Sequence, residues 1–408
     1  MSVALEDAVA ARARIAGSIY ESPCVESIPL SQQCGAHVYC KLDYLQRTGS
    51  FKERGARNAL ATLTPEQKAR GAIAASAGNH ALAMAYHGGL LGIPVTVVMP
   101  RFAPLIKVAN CRKLAATVVL HGDNLAQARA HADALAQARG LTYIHGYDDA
   151  AIIAGQGTIA LEVLEQVKEI DAIVVPVGGG GLIAGVARVV KSLQPEIKVI
   201  GVEPEHAACF SAALAAGEPV DVEVKPTLAD GLAVARVGPR SFAVARELVD
   251  RMVTVSETEL AVAIMRLIEL EKSVVEGAGA AAFAALLAGK LPELAGKRVV
   301  VLLSGGNIDL NFMQRAIEVG LVQDARLTRF TVVISDRPGG LAGLAGLIAA
   351  AGASIKEIAH DRAFSGPDAS AVRMVCTVET ADAAHRDQML ATLCEKGLQP
   401  VVEGEPAR

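Results

Sequence analysis

The chain has 408 residues, 52% of them hydrophobic, which is enough to bury two or three cores. Its net charge of −4 forms no basic stripe, which argues against a nucleic-acid partner, and no apolar stretch is long enough to span a membrane. Seven cysteines without a C-x-x-C pair argue against a disulfide framework or a zinc site. Since no signal-peptide core precedes residue 17, we expect a cytoplasmic protein with small-molecule partners.

Strands and helices alternate in the first part of the chain. A helix over 5–17 and an extended segment over 22–29 precede a strand at 37–42. The elements predicted next are strands at 72–75, 95–99 and 117–120, and helices at 79–90, 104–115 and 124–139. This alternation predicts a small α/β subdomain, about 45–146, inserted into a larger one.

The larger subdomain resumes with a helix over 156–168. Glycine and proline clusters predict loops at 145–157 and 217–240. Its remaining predicted elements are strands at 172–177, 198–202, 252–255 and 298–303, and a helix over 182–193. Ligands of such parallel sheets bind at the carboxyl ends of the strands, so we expect the functional site there.

One stretch places a lysine where a helix begins. Ser50 and Glu53 have the Ser-x-x-Glu spacing of a capping box, so we expect the helix to start at Ser50 with Lys52 in its first turn. The helix dipole and partial burial both lower the pKa of a lysine at such a position. The free amine can attack a carbonyl group, although a lysine there is more often a solvated surface residue.

Two buried strands end in turns that suit a phosphate-bearing cofactor. Strand 172–177 runs into four glycines and then a helix, a combination that directs backbone N–H groups at an anion. The residues of this turn are Gly178, Gly179, Gly180, Gly181 and Leu182. Strand 298–303 ends in Ser304, again before a helix. An amine, an anion cradle and a hydroxyl at strand ends are the parts needed to hold pyridoxal phosphate.

The sequence resembles the pyridoxal-phosphate enzymes of the threonine dehydratase, serine dehydratase and tryptophan synthase β group, and most of all the threonine ammonia-lyases with one C-terminal ACT domain. The motifs that carry the resemblance are Gly49–Ala56, Ser76–His80, Gly178–Gly181 and Ser304–Asn307. It implies an α/β class, with a two-subdomain tryptophan synthase β-like fold over 1–320, a linker at 321–327 and an α+β ACT domain over 328–408.

The resemblance also implies roles for individual residues. Lys52 would bind the cofactor and later remove the Cα proton, Asn79 would bond the cofactor's phenolic oxygen, and Ser304 would face its ring nitrogen. A hydroxyl there, instead of a carboxylate, favours β-elimination. The substrate carboxylate would bind the loop of Ser76, Ala77, Gly78, Asn79 and His80, while Gly231 and Glu276 would lie close to the cofactor. Alternatively, Ser76, Asn79 and Ser304 only cap helices.

Two departures from the group's pattern bear on activity. Serine racemases of this group carry a second serine in the carboxylate loop, where this chain has Ala77, which argues against racemisation. Those enzymes also bind a divalent cation through two acids. Here Glu203 matches the first acid, but Cys209 stands at the second, so no metal is predicted, with Glu203 left as a possible ligand.

The C-terminal part has its own pattern. Predicted strands at 328–335, 354–360, 372–378 and 399–402 and helices at 341–351 and 383–395 have the order βαββαβ. The resemblance to ACT domains implies pairing between subunits, hence a homo-oligomer (dimer or tetramer), and an amino-acid effector bound near the first turn, Asp336–Gly340. A plain dimerisation module is the alternative.

The function implied is elimination from a β-hydroxy amino acid, with L-threonine giving 2-oxobutyrate and ammonia and L-serine giving pyruvate, under amino-acid control. A dehydratase of another such amino acid, for example 3-hydroxyaspartate, would share every motif, and a non-catalytic amino-acid sensor is a further alternative. A Gly-x-Gly-x-x-Ala match from Gly179, with Glu203 downstream, also permits an NAD-dependent oxidoreductase. That interpretation leaves Lys52 and Ser304 without a role.

Overall fold

A computed structural model describes residues 3–362 and 370–403 of the chain. The chain divides into two compact units, Met1–Met313 and Gln314–Arg408. Two stretches of the C-terminal domain predicted over 328–408, residues 363–369 and 404–408, lie outside the described residues. In the part of the chain that is described, no helix has the length and apolar character needed to cross a membrane.

The elements of the described residues are numbered in chain order. The strands are β1 (Cys24–Glu26), β2 (His37–Lys41), β3 (Ala72–Ala75), β4 (Val95–Met99), β5 (Thr117–Leu120), β6 (Thr142–Tyr143), β7 (Ala172–Pro176), β8 (Lys198–Pro204), β9 (Arg251–Val255), β10 (Arg298–Leu302), β11 (Leu327–Ser335), β12 (Ser354–Asp361), β13 (Ala371–Glu379) and β14 (Val401–Val402). The helices are α1 (Leu5–Ile15), α2 (Ile28–Cys34), α3 (Lys52–Ala61), α4 (Pro65–Arg70), α5 (Asn79–Leu91), α6 (Leu105–Lys113), α7 (Leu125–Arg139), α8 (Ala150–Gln166), α9 (Gly181–Leu193), α10 (Cys209–Ala216), α11 (Pro239–Ala245), α12 (Glu257–Glu271), α13 (Gly277–Leu287), α14 (Leu310–Gln323), α15 (Gly340–Ala350) and α16 (Ala383–Glu395).

The N-terminal unit contains two sheets that bring strand ends together. The larger has the order β1-β2-β10-β7-β8-β9 and is parallel except for β1, which runs antiparallel to β2. The smaller has the order β5-β4-β3-β6 and is parallel throughout. Strands β7, β8 and β10 are buried along almost their whole length, as expected of parallel strands covered by helices on both faces. The predicted α/β class is confirmed.

Helix α8 corrects the prediction of a loop over 145–157. The helix begins at Ala150, six residues before the predicted start at 156, because two of the glycines serve close packing and not a turn. A Cβ on Gly155 would lie 2.7 Å from the main-chain oxygen of Arg54 in α3, and one on Gly157 would lie 3.1 Å from that of Gly185 in α9. Glycine here lets three helices approach one another.

The predicted extended segment over 22–29 is also only partly correct. The main-chain N–H of Leu30 donates to Ser27 Oγ over 3.1 Å, so Ser27 caps α2 and the chain turns helical from Ile28. Pro29 lies in the first turn of α2, where its missing N–H removes no helix hydrogen bond. The proline marks a helix start here.

A buried cluster of charges lies beneath α3. The guanidinium of Arg54 donates to Asp43 over 2.7 and 2.9 Å and to Glu162 Oε2 over 2.8 Å, and Lys41 Nζ donates to the same Glu162 oxygen over 2.6 Å. All four side chains are buried. Burial alone would raise the pKa of Asp43, but the charge and hydrogen bonds of Arg54 outweigh it and hold that pKa below its usual value. The cluster fixes α3 on α8.

Replacing Arg54 by alanine should lower the free energy of unfolding by about 3–5 kcal/mol, because it leaves buried carboxylates without their main counter-charge. The matched control is Arg101→Ala, which removes an ion pair to Asp123 whose arginine side chain is 61% exposed and should cost about 0–1 kcal/mol. Urea unfolding midpoints of the two variants measure the difference. Equal stabilities would contradict the structural role given to the cluster.

The C-terminal unit is an antiparallel sheet of order β12-β13-β11-β14 covered by α15 and α16. Its elements follow the predicted βαββαβ order. Buried and more exposed residues alternate along most of β11, as expected of a sheet with one covered face. Phe330, Met374 and Met389 are among the fully buried residues of its core. The predicted α+β class of this unit is confirmed.

Candidate active site

Lys52 is the first residue of α3, but the predicted capping box is wrong. No side chain caps this helix. Ser50 instead forms an isolated β-bridge with Gly305, and its hydroxyl is buried without a partner among the described residues. The Glu53 carboxylate accepts the main-chain N–H of Thr48 and lies 3.0 Å from the imidazole of His87. Long-range pairing with the turn after β10 thus replaces the local cap.

The amine of Lys52 is buried and loses its proton more easily than that of an ordinary lysine. Its Nζ donates to the main-chain oxygen of Gly146 over 2.7 Å. Burial lowers the pKa of Lys52 to about 8, although the carboxylate of Glu276 acts in the opposite direction. Far more of this amine is unprotonated near neutral pH than for an ordinary lysine, as a nucleophile or base requires.

The loop after β3 presents an uncapped helix start. The N-terminal residue of α5 is Asn79, and Gly78 before it has no side-chain cap, so the alternative that Ser76 or Asn79 caps this helix is wrong. Ser76 Oγ accepts the N–H of Gly78 over 3.2 Å. Asn79 Nδ2 donates to Glu276 Oε1 over 2.6 Å, and its Oδ1 accepts from Asn307 over 2.8 Å. The first N–H groups of α5 therefore suit an anion.

The side chain of Glu276 lies between the loop after β3, which carries Asn79, and the loop that carries Asp230. Burial, and after it the charge of Asp230, raises the pKa of Glu276 to about 7, against the hydrogen bond from Asn79. Gly231 follows Asp230, and a Cβ on it would lie 3.0 Å from that of Ala278. Asp230 itself pairs with Lys107 of α6 over 3.0 Å, so these loops meet the small subdomain.

The glycine turn after β7 offers main-chain donors. Gly180 has φ +90° and precedes α9 without any side-chain cap, so the first N–H groups of that helix are free of side-chain acceptors in the described part of the chain. A Cβ on Gly179 would lie 2.3 Å from the ring of Tyr147, which only glycine allows. Gly178, Gly181 and Leu182 are buried beside it. This is the geometry of an anion cradle.

Ser304 and His80 lie next to these parts. Ser304 is buried two residues beyond the end of β10, and its main-chain oxygen accepts the N–H of Phe51, one residue before Lys52. His80 is buried, with Nε2 3.2 Å from the oxygen of Ile144. Burial, and after it the charge of Lys52, lowers the pKa of His80 to about 3, so its ring is neutral at ordinary pH.

Glu203 has structural partners. Its two carboxylate oxygens accept the N–H of Phe210 over 2.6 Å and of Ser211 over 2.9 Å, which fixes the start of α10. Cys209 Sγ contacts the oxygen of Gly178 at 3.5 Å. Within residues 3–362 and 370–403, no three His, Cys, Asp or Glu side chains come close enough together to hold a metal ion.

Several contacts at the site have no clear signal in the sequence. Gly146 contributes a main-chain oxygen, which every residue type provides. Tyr147 and Lys107 lie in segments without a motif, although their partners Gly179 and Asp230 belong to recognisable ones. These residues are brought to the site by the packing of the two subdomains.

Residues 15–305 match the family model of pyridoxal-phosphate dependent enzymes. The chain belongs to this family. It is 41% identical to the L-threonine ammonia-lyase of Thermotoga maritima over 402 residues, which is 98% of this chain and 100% of that protein. The catabolic L-threonine dehydratase of Escherichia coli K12 is 45% identical over 312 residues, 76% of this chain and 95% of that enzyme. The processed threonine deaminase isoform 2 of Solanum lycopersicum superposes with a TM-score of 0.73, at 39% identity over 77% of this chain and 92% of that one.

Family membership makes pyridoxal phosphate the cofactor and confirms the predicted tryptophan synthase β-like fold. The residues present fit this cofactor. The Lys52 amine, with a pKa of about 8, suits its aldehyde, and the uncapped start of α9 suits its phosphate. The NAD-dependent alternative is thereby excluded.

Proposed function

We propose that this protein is a threonine ammonia-lyase that converts L-threonine to 2-oxobutyrate and ammonia, and L-serine to pyruvate and ammonia. The observation that carries the proposal is the lowered pKa of the buried Lys52 amine, together with Ser304, a hydroxyl residue just beyond β10 whose main-chain oxygen accepts the N–H of Phe51, the neighbour of Lys52. The names of relatives over 40% identical support the choice of threonine.

The cofactor is assigned to four groups of residues. Lys52 would bind its aldehyde, and Ser304 would donate to its ring nitrogen. Asn79 would bond its phenolic oxygen, with Gly231 and Glu276 beside it. The phosphate would be bound by N–H groups of the turn Gly178, Gly179, Gly180, Gly181 and Leu182. The hydrogen bond from Asn79 to Glu276 supports this grouping, since it holds two of these side chains together.

Bound pyridoxal phosphate supplies an electron sink that makes the Cα proton of an amino acid acidic. The loop of Ser76, Ala77, Gly78, Asn79 and His80 binds the substrate carboxylate at the start of α5 and so orients Cα toward Lys52. Lys52 Nζ then takes the Cα proton, for which its lowered pKa suits it. His80 keeps the carboxylate loop in place as a neutral, buried ring.

The test is 2-oxo acid formation from a panel of β-hydroxy amino acids: threonine, serine, 3-hydroxyaspartate and phenylserine. Threonine should give the highest kcat/KM and serine a lower one, since one methyl group is worth about 1–3 kcal/mol in a shaped pocket. A preference for 3-hydroxyaspartate would show that the protein is the alternative dehydratase and not a threonine ammonia-lyase. Release of no 2-oxo acid from any of them would favour the non-catalytic sensor.

Replacing Ala77 by serine should introduce measurable racemisation of serine, because it restores a hydroxyl in the carboxylate loop, on the face of Cα opposite Lys52. Chiral chromatography of L-serine incubations measures the D-serine formed, with wild-type enzyme as the control. Retained elimination without any D-serine would contradict the loop geometry assigned here.

We further propose that the catalytic domain covers 1–320, followed by a linker at 321–327 and an ACT domain over 328–408 that binds an amino-acid effector in a cytoplasmic homo-oligomer. The antiparallel βαββαβ unit supports this. The E. coli relative supports it too, since 95% of that enzyme corresponds to only 76% of this chain. Gly339, with φ +96°, precedes α15 without a side-chain cap, which leaves donors for a ligand in the first turn.

Isoleucine or valine should change the threonine dependence of the full-length enzyme, because an effector that prefers one state shifts the equilibrium between states. Truncation after residue 324, just beyond α14, should keep turnover and remove that response. Initial rates with and without each amino acid measure both. An unchanged response in the truncated enzyme would assign the effector site to the remaining chain.

A further inference from the structure

The short segment between β6 and α8 contacts both Lys52 and the glycine turn. This linking segment is His145–Asp148. The main-chain oxygen of Gly146 accepts from Lys52 Nζ over 2.7 Å. The ring of Tyr147 lies against Gly179, so closely that a Cβ there would be 2.3 Å from it. One segment of four residues thus meets two separate parts of the site.

The second half of the linking segment is tied to α11. Tyr147 O accepts from Ser241 Oγ over 2.7 Å. The carboxylate of Asp148 accepts the main-chain N–H groups of Arg240 over 2.9 Å and of Ser241 over 3.0 Å. These bonds hold Tyr147 and Asp148 to the larger subdomain. None of these bonds involves Gly146, so the direction of its carbonyl depends on the residue before it, His145.

The imidazole of His145 supplies that constraint. Its Nδ1 accepts the main-chain N–H of Tyr147 over 3.3 Å and of Asp148 over 3.0 Å. A ring nitrogen that accepts carries no proton, so the proton of the neutral ring is on Nε2. Burial, and after it the charge of Arg129, lowers the pKa of His145 to about 4, which keeps the acceptor available at neutral pH. One nitrogen thus closes a turn around Gly146.

We infer that His145 is a positioning residue: through Nδ1 it shapes the turn that directs the Gly146 carbonyl at Lys52 Nζ. The inference rests on the proposed role of Lys52 as the base. After Lys52 takes the Cα proton, its ammonium needs an acceptor already in place, and this carbonyl is one. The same turn holds Tyr147 over the glycine turn, so His145 also supports the phosphate site.

Ring packing is the competing explanation for His145. Its ring meets that of Tyr147 edge-on at 4.4 Å and that of Tyr143 at 6.2 Å between centroids. Phenylalanine keeps an aromatic ring and has no acceptor, whereas the side-chain oxygen of asparagine takes a position near Nδ1 and has no ring. The two substitutions therefore separate hydrogen bonding from packing.

The experiment compares full-length wild type, His145→Phe and His145→Asn. For each, kcat and KM for threonine are measured, and the Kd of pyridoxal phosphate is obtained from its visible absorbance. His145→Phe should lower kcat about tenfold or more with KM nearly unchanged, and raise the cofactor Kd about tenfold, since small misplacements at a site have effects of this size. His145→Asn should stay within about threefold of wild type in both, because it keeps the acceptor.

A wild-type kcat and Kd in His145→Phe would overturn the inference, and so would an impairment of His145→Asn as large as that of His145→Phe. If His145→Phe does not fold, His145→Asn decides alone, and loss of kcat or cofactor affinity in that folded variant overturns the inference. If wild type does not act on threonine, the proposed function fails. The three cofactor affinities still test His145 in that case.

Discussion

Lys52→Ala should abolish 2-oxobutyrate formation from threonine, with a loss of about 10³-fold or more, while the fold stays intact. Removing the amine removes both the attachment point of the cofactor and the proposed base, and a positioned base alone contributes about 10²–10⁴-fold. Assays at saturating threonine and cofactor measure the loss, and circular dichroism monitors the fold.

The matched control for this prediction is Lys113→Ala, an exposed lysine in the last turn of α6 of the small subdomain. It should keep full activity, because its side chain is exposed and has no assigned role in cofactor or substrate binding. Turnover by Lys52→Ala well above about one thousandth of the wild-type rate would contradict the mechanism and assign the base to another group.

Gly181→Ala should weaken cofactor binding about tenfold or more. A Cβ at this position would lie 2.5 Å from the main-chain oxygen of Tyr147, so the backbone must shift where the phosphate turn joins α9. The Kd from the visible absorbance of bound pyridoxal phosphate measures the effect. Gly343→Ala, in α15 with no atom within 4 Å of the added Cβ, is the control and should bind the cofactor as wild type does. Equal affinities would contradict the assignment of the phosphate turn.

The parallel sheets could be predicted because their strands are short, apolar runs bounded by glycine, proline or polar residues. Val95–Met99 and Thr117–Leu120 have the predicted bounds, and β7 and β10 each end within a residue of the predicted end. Since ligands of parallel sheets bind beyond the carboxyl ends of strands, the same pattern also predicted a candidate site at the glycine turn and Ser304.

The errors arose where distant contacts override local preference. Ser50 and Glu53 have the spacing of a capping box, but Ser50 pairs with Gly305 and the Glu53 carboxylate is taken up by Thr48 and His87. Gly155 and Gly157 suggested a loop, yet they allow close packing between helices. In both cases the outcome depends on partners far away in the sequence, such as Gly305 for Ser50 and Arg54 for Gly155, about which a local pattern carries no information.

Other features of the site were beyond prediction for a different reason. The Gly146 carbonyl is a main-chain group, and the bond it makes to Lys52 depends on how the linking segment passes between the subdomains. The pKa of Glu276, raised to about 7, depends on the burial created when the loops carrying Asn79 and Asp230 meet. Such values follow from the packed structure and from no single motif.

The most direct test of the central claim is borohydride reduction of the purified protein followed by peptide mapping. Borohydride fixes pyridoxal phosphate to the amine that binds it. We predict a yellow protein whose visible band disappears on reduction and whose reduced label is found on Lys52, with no label in Lys52→Ala. A visible band that survives reduction, or a label on any other lysine, would contradict the assignment of Lys52 and with it the proposed function.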